Sequence, residues 1–305
     1  MGVGVSNWRL AQAVSRLGQL GVVSGTGLDQ VLARRLQDGD LGGECRRALA
    51  HFPFPQMAQR IMDMFFVPGG KQPKAPYKTV AQAVIKNHRW LDELYIVANY
   101  VEVFLAREGH SNPVGINYLE KIQLPHLPSA YGAMLAGAAV VIMGAGIPVE
   151  MPRVLDLLSQ HEAATYTIRV IGAKPDTDCQ RVFDPSLFFE DGLTPPVLSR
   201  PDFLPIISSD SLATMLLRKA GGSVEGFVIE GPLAGGHNAP PRGQMKLTED
   251  GQPIYGPRDV VNFEAIRKVG LPFWIGGAYG SPEGLRQAVA EGAAGIQAGT
   301  AFALC

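Results

Sequence analysis

Short apolar runs alternate with segments of helical periodicity along this chain, and that alternation predicts an α/β fold. Seven of the runs have the length and the bounding residues of strands that are buried on both faces. They lie near residues 20, 113, 139, 203, 226, 272 and 294, and each ends in Gly, Ser, Thr, Asn or Glu. Because chemistry in α/β folds lies at the carboxyl ends of the strands, we expect these ends to form one functional face.

Parallel strands with helices between them predict a (β/α)8 barrel, which needs eight strands. The chain opens in a stretch that resembles a strand-to-helix loop, Gly2 to Ser6, and it stops at Cys305, just past the last predicted strand. We therefore expect a barrel that lacks its first strand and its C-terminal closing helices. The chain is predicted to be trimmed relative to a complete barrel domain.

Two segments interrupt the predicted alternation of strands and helices. Residues 28–110 are largely helical with proline-rich breaks and are too long for a simple crossover, so they are predicted to be a helical insertion. Residues 161–200 contain a strand-like run at 165–171 and a remainder rich in Asp and Pro, which indicates an irregular insertion. The prediction is a single domain over residues 1–305 that carries both insertions.

Capping residues define two of the helices. Ser6 is predicted to cap a helix that stops at Gly18, and Ser281 is predicted to cap a helix that has Pro282 in its first turn and stops at Gly292.

Composition excludes several classes of partner. The chain has 305 residues, of which 46% are hydrophobic, and its 27 basic and 28 acidic residues give a net charge of -1. With basic and acidic residues so nearly balanced, the chain has no excess of basic residues that would bind nucleic acid or an anionic membrane. A small molecule is therefore the expected partner. The uncharged stretch 127–149 contains glycines and two prolines, which favour a helix followed by a buried strand over a membrane span. The N-terminus has no signal peptide pattern.

The remaining polar residues indicate no metal site. Three cysteines, Cys45, Cys179 and Cys305, match neither a zinc spacing nor a disulfide framework, and this usage suits a cytoplasmic protein. Scattered carboxylates such as Glu93 and Glu102 show no paired arrangement and are predicted to lie on the solvated surface.

A glycine-rich loop after the predicted strand 226–230 carries the most distinctive candidate chemistry. Gly235 and Gly236 allow close approach of a ligand to the backbone, and His237 follows them directly. An imidazole titrates near neutral pH and can move a proton. Loop histidines also serve purely structural roles, so the histidine alone leaves both interpretations open.

The last two predicted strands indicate a phosphate site. Gly276 and Gly277 follow one strand, and Gly299 and Thr300 follow the next, so both ends offer bare backbone N–H groups. In (β/α)8 barrels the loops after strands seven and eight commonly bind phosphate, and FMN would fit this face. The alternative is that these glycines only permit tight turns. No dinucleotide fingerprint or P-loop is present.

Taken in order, several short motifs resemble the nitronate monooxygenases, formerly called 2-nitropropane dioxygenases. These are FMN-dependent TIM-barrel enzymes related to flavin-dependent enoyl-ACP reductases. The resemblance covers most of the chain outside the two insertions. It is carried by the motifs at residues 1–6, 115–117, 230–237, 276–277 and 297–300.

The resemblance implies an FMN-dependent reaction that converts alkyl nitronates or nitroalkanes, with O2, to carbonyl compounds and nitrite. It implies that His237 is the catalytic residue, which removes the α-proton of a neutral nitroalkane or positions the nitronate. The implied cofactor-binding residues are Gly4, Ser24, Asn117, Glu230, Gly235, Gly236, Gly276, Gly277, Gln297, Gly299 and Thr300.

Two positions depart from the monooxygenase pattern. Glu230 stands where that branch often has Gln, and Leu233 stands where it has Glu. A glutamate at the first position occurs in the enoyl-ACP reductase branch, which uses NAD(P)H. The alternatives are therefore an NAD(P)H-dependent enoyl reductase, with an enoyl thioester as substrate, or a non-catalytic remnant of the barrel.

Overall fold

Seven parallel strands form one curled sheet, and their order in the sheet follows their order along the chain. The computed structural model describes residues 2–170, 172, 179–235 and 239–303. The strands are β1 (Gly21–Ser24), β2 (Val114–Leu119), β3 (Val140–Gly144), β4 (Ala164–Thr167), β5 (Gln180–Phe183), β6 (Asp202–Ile207), β7 (Phe227–Glu230), β8 (Phe273–Gly276) and β9 (Gly295–Gln297). The sheet order is β1-β2-β3-β6-β7-β8-β9, so all seven predicted strands are confirmed.

Ten α-helices of the described residues connect and cover these strands. They are α1 (Trp8–Arg16), α2 (Leu28–Gln37), α3 (Glu44–Leu49), α4 (Pro55–Phe65), α5 (Arg89–Arg107), α6 (His126–Leu135), α7 (Met151–Ser159), α8 (Asp210–Lys219), α9 (Phe263–Lys268) and α10 (Pro282–Ala290). Short 3-10 helices lie at 185–188, 257–259 and 300–302. The fold is a mixed α/β fold whose sheet forms a curled half-barrel.

The two faces of the sheet contain separate apolar clusters. The larger cluster joins the strands to the helices. The smaller one is made of strand residues alone around Val140, Ile142, Leu204 and Val228, with Trp274 packed against it. A sheet face that buries its side chains only against one another must curl around them. This inner face is called the concave face below.

The outer strands of the sheet are β1 and β9, and no pairing joins them within the described part of the chain. The segment 2–6 lies against β1 instead, because the Ser24 N–H donates to the Ser6 carbonyl at 2.8 Å. The hydroxyl of Ser24 donates to the Gly2 carbonyl at 3.0 Å. The chain that precedes α1 therefore lies at the carboxyl end of β1.

The helix α5 is the most buried helix between β1 and β2. It packs against α6, α1, α2 and β2. Residues 28–110 therefore contain a helix that covers the sheet, in addition to α2, α3 and α4. No helix of the described residues is long and apolar enough to cross a membrane.

Two carboxylates of α5 correct a prediction. Glu93 and Glu102 were expected on the solvated surface, yet they are 1% and 2% exposed. Glu93 accepts hydrogen bonds from the guanidinium groups of Arg60 and Arg89, and Glu102 pairs with Arg35. A buried carboxylate needs such partners, and they come from other turns or other helices that sequence spacing did not reveal.

The segment 161–200 contains a short antiparallel strand pair, β4 and β5. A buried ion pair attaches it to α5, because Arg181 donates to both carboxylate oxygens of Asp92, with 2.6 Å between Nη2 and Oδ2. The part of the strand-like run beyond Val170 includes residues that lie outside the described ranges.

The first helix cap also differs from the prediction. Asn7, not Ser6, caps α1, because its side-chain oxygen accepts hydrogen bonds from the N–H groups of Arg9 and Leu10. Ser6 instead donates its hydroxyl to the Val22 carbonyl. The predicted cap of α10 is confirmed, since the Ser281 hydroxyl accepts from the Gly284 N–H at 3.0 Å.

Candidate active site

Alternation along the strands places several predicted site residues on the concave face. Side chains point to opposite faces at successive positions of a strand, so residues two apart share a face. Trp274 of β8 and Val228 of β7 pack within the concave cluster, which puts Gly276 and Glu230 on the same side. By the same alternation, Ser24 follows Val22 on this face. The register pairs Ser24 with Asn117 of β2.

Glu230, Gly276 and Gln297 form one row across β7, β8 and β9. Glu230 is the register partner of Gly276, and Gly276 is the partner of Gln297. The Gln297 side-chain amide donates to the Glu230 carboxylate at 3.4 Å. A Cβ on Gly276 would lie 3.3 Å from Cγ of Glu230. The absence of a side chain at residue 276 therefore lets the two polar side chains meet above β8.

The loops after these three strands also contact one another. A Cβ added to Gly235 would lie 2.6 Å from the hydroxyl oxygen of Thr300. A Cβ added to Gly277 would lie 2.7 Å from the backbone nitrogen of Ala234. Residues 231–235 thus pack closely on the ends of β8 and β9. The backbone of Ala234 leaves no room for a larger residue at position 277, whereas at position 235 the Thr300 side chain would have to move.

The backbone after β8 has a conformation that exposes N–H groups. Gly277 has φ +89, and Ala278, which carries a side chain, also lies in the left-handed region with φ +61. The N–H groups of Gly277, Ala278, Gly299 and Thr300 donate to no acceptor within the described ranges. Left-handed alanine costs about 1–2 kcal/mol, and such strain is concentrated at functional sites. The N-terminus of α10 contributes less, because Ser281 already caps it.

Glu230 is a partly buried carboxylate whose environment favours its neutral form. Burial raises the pKa of Glu230 from 4.5 to about 6. Beside it lies a cavity of only about 20 Å³, also lined by Ser208, Arg242, Tyr255 and Asp259. Such a volume holds roughly one water molecule. Arg242 does not pair with Glu230, since its guanidinium donates to the Ser208 carbonyl at 3.4 Å.

Asn117 has an unsatisfied side chain. It is 5% exposed, and its carboxamide makes no hydrogen bond with any described residue. Among the described residues, only a few side-chain N and O atoms are both fully buried and without a hydrogen-bond partner, and the Asn117 amide atoms are not among them. The carboxamide therefore keeps an open surface. Buried polar groups are normally paired, so an unpaired amide on the concave face indicates a place for a ligand.

The predicted site residues fall into two groups. Glu230, Gly235, Gly276, Gly277, Gln297, Gly299 and Thr300 lie together at the ends of β7, β8 and β9. Ser24 and Asn117 lie at the ends of β1 and β2, and Gly4 belongs to the turn beside Ser24, with φ +70. Both groups lie at the same end of one parallel sheet. The predicted residues Gly236 and His237 lie outside the described residues.

A cavity that the sequence did not indicate lies on the other side of β1 and β2. It has a volume of about 520 Å³ and is lined by residues 25–30, by the loop after β2 and by side chains of α5 and α6. Its buried polar lining includes Asp29, Tyr95 and Ser129. Neither a motif nor a spacing marks these residues, because the segments that line the cavity lie far apart in the sequence.

The described residues offer groups that could hold FMN, although they would not enclose it. Free backbone N–H groups follow β8 and β9, and a Cβ on Gly231 or Gly299 would meet nothing within 4 Å. Asn117, Glu230 and Gln297 supply polar groups on the concave face. All three residues of β9 are half-buried, so a bound flavin would be partly exposed along that edge.

Comparisons with known proteins add no family to this description. No protein-family model matches the chain, and no curated protein matches it. Among the described residues, no group of three or more His, Cys, Asp and Glu side chains has an arrangement that could hold a metal ion.

Proposed function

We propose that this chain is an FMN-dependent oxidoreductase that oxidises alkyl nitronates or nitroalkanes with O2 to carbonyl compounds and nitrite. The corresponding fold is a (β/α)8 barrel, of which the curled sheet of seven parallel strands would be part. The proposal combines the resemblance of the ordered motifs to nitronate monooxygenases with the chemistry of the concave face.

The observation that carries the proposal is the set of unsatisfied polar side chains at the strand ends. Among the described residues, the Asn117 side chain has no hydrogen-bond partner, and the Glu230 carboxylate accepts one long hydrogen bond, of 3.4 Å, from Gln297. A protein does not normally leave such groups unpaired. A planar ligand with several donors and acceptors, such as a flavin, would satisfy them.

Each group of residues has a distinct task in this proposal. The N–H groups of Gly277, Ala278, Gly299 and Thr300 bind the phosphate, because their partial positive charges favour an anion. Ionised Glu230 accepts hydrogen bonds from hydroxyl groups of the ribityl chain, and Asn117 contacts the ring system. When bound, FMN supplies the electron-transfer chemistry that amino-acid side chains lack.

His237 is the proposed base. In the proposal its neutral imidazole removes the α-proton of a nitroalkane, because imidazole side chains can accept a proton near neutral pH. Gly235, two residues before the histidine, lies near the end of β9, since a Cβ added there would lie 2.6 Å from the Thr300 hydroxyl oxygen.

An NAD(P)H-dependent enoyl reductase is a second candidate, and Glu230 is the observation that favours it. A glutamate at this position is the feature that the resemblance assigns to the enoyl reductase branch. Both candidates need FMN, so they differ only in the substrate and in the electron donor.

One set of measurements on the purified chain tests these assignments. The visible spectrum and the identity of the flavin released on denaturation show whether FMN is bound, before and after incubation with excess FMN. Nitrite release is then measured with propyl-2-nitronate under air and without pyridine nucleotide. NAD(P)H oxidation is measured separately with an enoyl thioester.

We expect FMN and nitrite release that does not depend on NAD(P)H. Oxidation of NAD(P)H that depends on the enoyl thioester, without nitrite release, would replace the first assignment with the second. A flavin-containing protein with neither activity would exclude both substrates. Failure to bind FMN at any concentration tested would exclude both flavin-dependent assignments and favour the third alternative, a non-catalytic remnant.

A further inference from the structure

The cavity of about 520 Å³ beside β1 and β2 has the size of a small-molecule site. Ligand sites typically have volumes of about 300–1,000 Å³. The Tyr118 side chain, which lines this cavity, points away from the concave face and bonds to α5 through Asn99. The cavity thus lies on the helix-covered side of the sheet, whereas the residues proposed to bind FMN lie on the concave side.

Hydrogen bonds between α5, β2 and α6 give the cavity a fixed floor. The hydroxyl of Tyr118 lies 2.9 Å from the Asn99 side-chain oxygen and 3.0 Å from the Ser129 carbonyl. Asn99 in turn donates to the Tyr95 carbonyl at 2.8 Å. These four residues are all buried, so their positions are set by packing as well as by hydrogen bonds.

Two hydroxyl groups on this floor have no partner. Tyr95 is 6% exposed and Ser129 is 3% exposed, and both line the cavity. Neither hydroxyl makes a hydrogen bond within the described part of the chain. Neither hydroxyl oxygen is one of the fully buried atoms that have no hydrogen-bond partner, so each keeps some accessible surface. Two buried residues that line one cavity and carry unpartnered hydroxyl donors indicate an acceptor atom of a ligand there.

The charges around the cavity decide the class of ligand. Asp29 lines it and is 7% exposed, and burial raises the pKa of this carboxyl group. Burial likewise raises the pKa of Tyr95, with the charge of Asp29 as a further cause. The cationic lining residues, Lys121 and Arg169, are exposed at the mouth. The buried end therefore disfavours an anion, which would also be repelled by ionised Asp29.

We propose that this cavity binds an uncharged organic molecule with an aliphatic body and a carbonyl-type acceptor oxygen. Tyr95 and Ser129 donate hydrogen bonds to that oxygen at the buried end. Leu28, Leu119 and Ile168 line the cavity and contact the aliphatic body. The site does not depend on FMN, and it remains if the proposed function is wrong.

Titration of the purified full chain with 2-octanone, followed by calorimetry, tests the site. We expect saturable binding at one site per chain. Tyr95→Phe removes a hydroxyl that has no protein partner, so we expect affinity to fall roughly three- to tenfold, as loss of one hydrogen bond implies. Unfolding in urea should change little, because no intramolecular hydrogen bond is lost.

Tyr100→Phe is the matched control on the same helix. The Tyr100 hydroxyl donates to the His51 carbonyl at 2.7 Å, and Tyr100 is not part of the cavity lining. This variant should lose stability and keep its affinity for 2-octanone. Ser129→Ala provides a second test at the floor, with an expected loss of affinity similar to that of Tyr95→Phe.

Three results would overturn the proposal. The first is the absence of saturable 2-octanone binding to the unmodified chain. The second is unchanged affinity in both Tyr95→Phe and Ser129→Ala. The third is tighter binding of octanoate than of 2-octanone, which would show that the cavity selects an anion.

Discussion

The side chains of Glu230 and Gln297 meet across β8, although they belong to β7 and β9. The amide of Gln297 lies 3.4 Å from the carboxylate of Glu230, directly above Gly276. Any side chain at residue 276 would occupy the space between them, since a Cβ there would lie 3.3 Å from Glu230. Three residues that are far apart in sequence thus form a single polar patch on the concave face.

Glu230→Gln should change the pH dependence of stability. The folded-state pKa of Glu230 is raised from 4.5 to about 6, so the protonated group favours folding below the lower value. This contribution to the free energy of unfolding is at most about 2 kcal/mol, and it disappears as the pH rises through the folded-state pKa. Unfolding in urea from about pH 4 to about pH 7 should show the wild type losing stability relative to the variant. A constant difference over this range would contradict the raised pKa.

Asn117→Ala should weaken FMN binding without unfolding the protein. The carboxamide has no protein partner to lose, so the expected effect is a reduction in FMN affinity of about tenfold, equivalent to about 1.4 kcal/mol. Flavin fluorescence titration measures this effect. Asn112→Ala is the control, because that amide donates to the Ser15 carbonyl at 2.7 Å. The control should lose stability and keep its affinity, and the reverse result would remove Asn117 from the site.

Two glycine substitutions separate folding from ligand binding at the ends of β8 and β9. Gly299 has φ -126, and an added Cβ meets nothing within 4 Å, so Gly299→Ala should change stability by less than about 0.5 kcal/mol. It should nevertheless weaken FMN binding, because the methyl group enters the proposed phosphate space.

Gly277→Ala should destabilise the fold by more than about 1 kcal/mol, since φ is +89 and the Cβ would lie 2.7 Å from the Ala234 nitrogen. Urea unfolding and FMN titration measure both quantities. Equal FMN affinity in Gly299→Ala and the wild type would place the phosphate elsewhere.

His237→Ala should impair the reaction with neutral nitroalkanes more than the reaction with preformed nitronates. Only the neutral substrate requires a base, and general-base catalysis typically contributes about 10²–10⁴-fold in rate. Nitrite release from 2-nitropropane and from its nitronate gives the two rates. Equal losses on both substrates would exclude the role of His237 as a base.

Glu102→Gln should destabilise the protein by roughly 1.5–3 kcal/mol, because hydrogen bonds to a buried charged group are lost. Glu102 accepts from the Trp8 N–H at 2.8 Å and pairs with Arg35, so it joins α5 to α1 and α2. Glu264→Gln is the control, since its pair with Lys268 is exposed and should be worth less than about 0.5 kcal/mol. Urea unfolding of both variants measures the difference. Similar small losses in both would show that Glu102 behaves as a surface residue.

The strands were predictable because each carries its own local signal. Runs such as Phe227 to Ile229 are apolar at every position, which is typical of parallel strands buried on both faces, and all seven predicted runs are strands. Capping chemistry is equally local, which explains the correct prediction at Ser281. The cap prediction was wrong at Ser6, because the Ser6 hydroxyl donates instead to the backbone of β1. The neighbouring Asn7 is an equally good cap.

The partners of buried polar groups were not predictable in the same way. Glu93 and Glu102 occur in a helix with ordinary sequence spacing, and only packing shows that arginines from α2, α4 and α5 itself neutralise them. The left-handed conformation of Ala278 has no sequence signal either, since alanine normally avoids that region.

The sequence by itself determined that small or polar residues stand at the end of every strand in the sheet. Parallel pairing must bring these strand ends to one edge. It also supplied the candidate residues there, including Glu230, Gln297 and Asn117. Only the tertiary structure decided which of them touch, because register and the missing side chain of Gly276 determine the contact across β8. The cavity at Tyr95 likewise exists only through packing, since its walls come from segments distant in sequence.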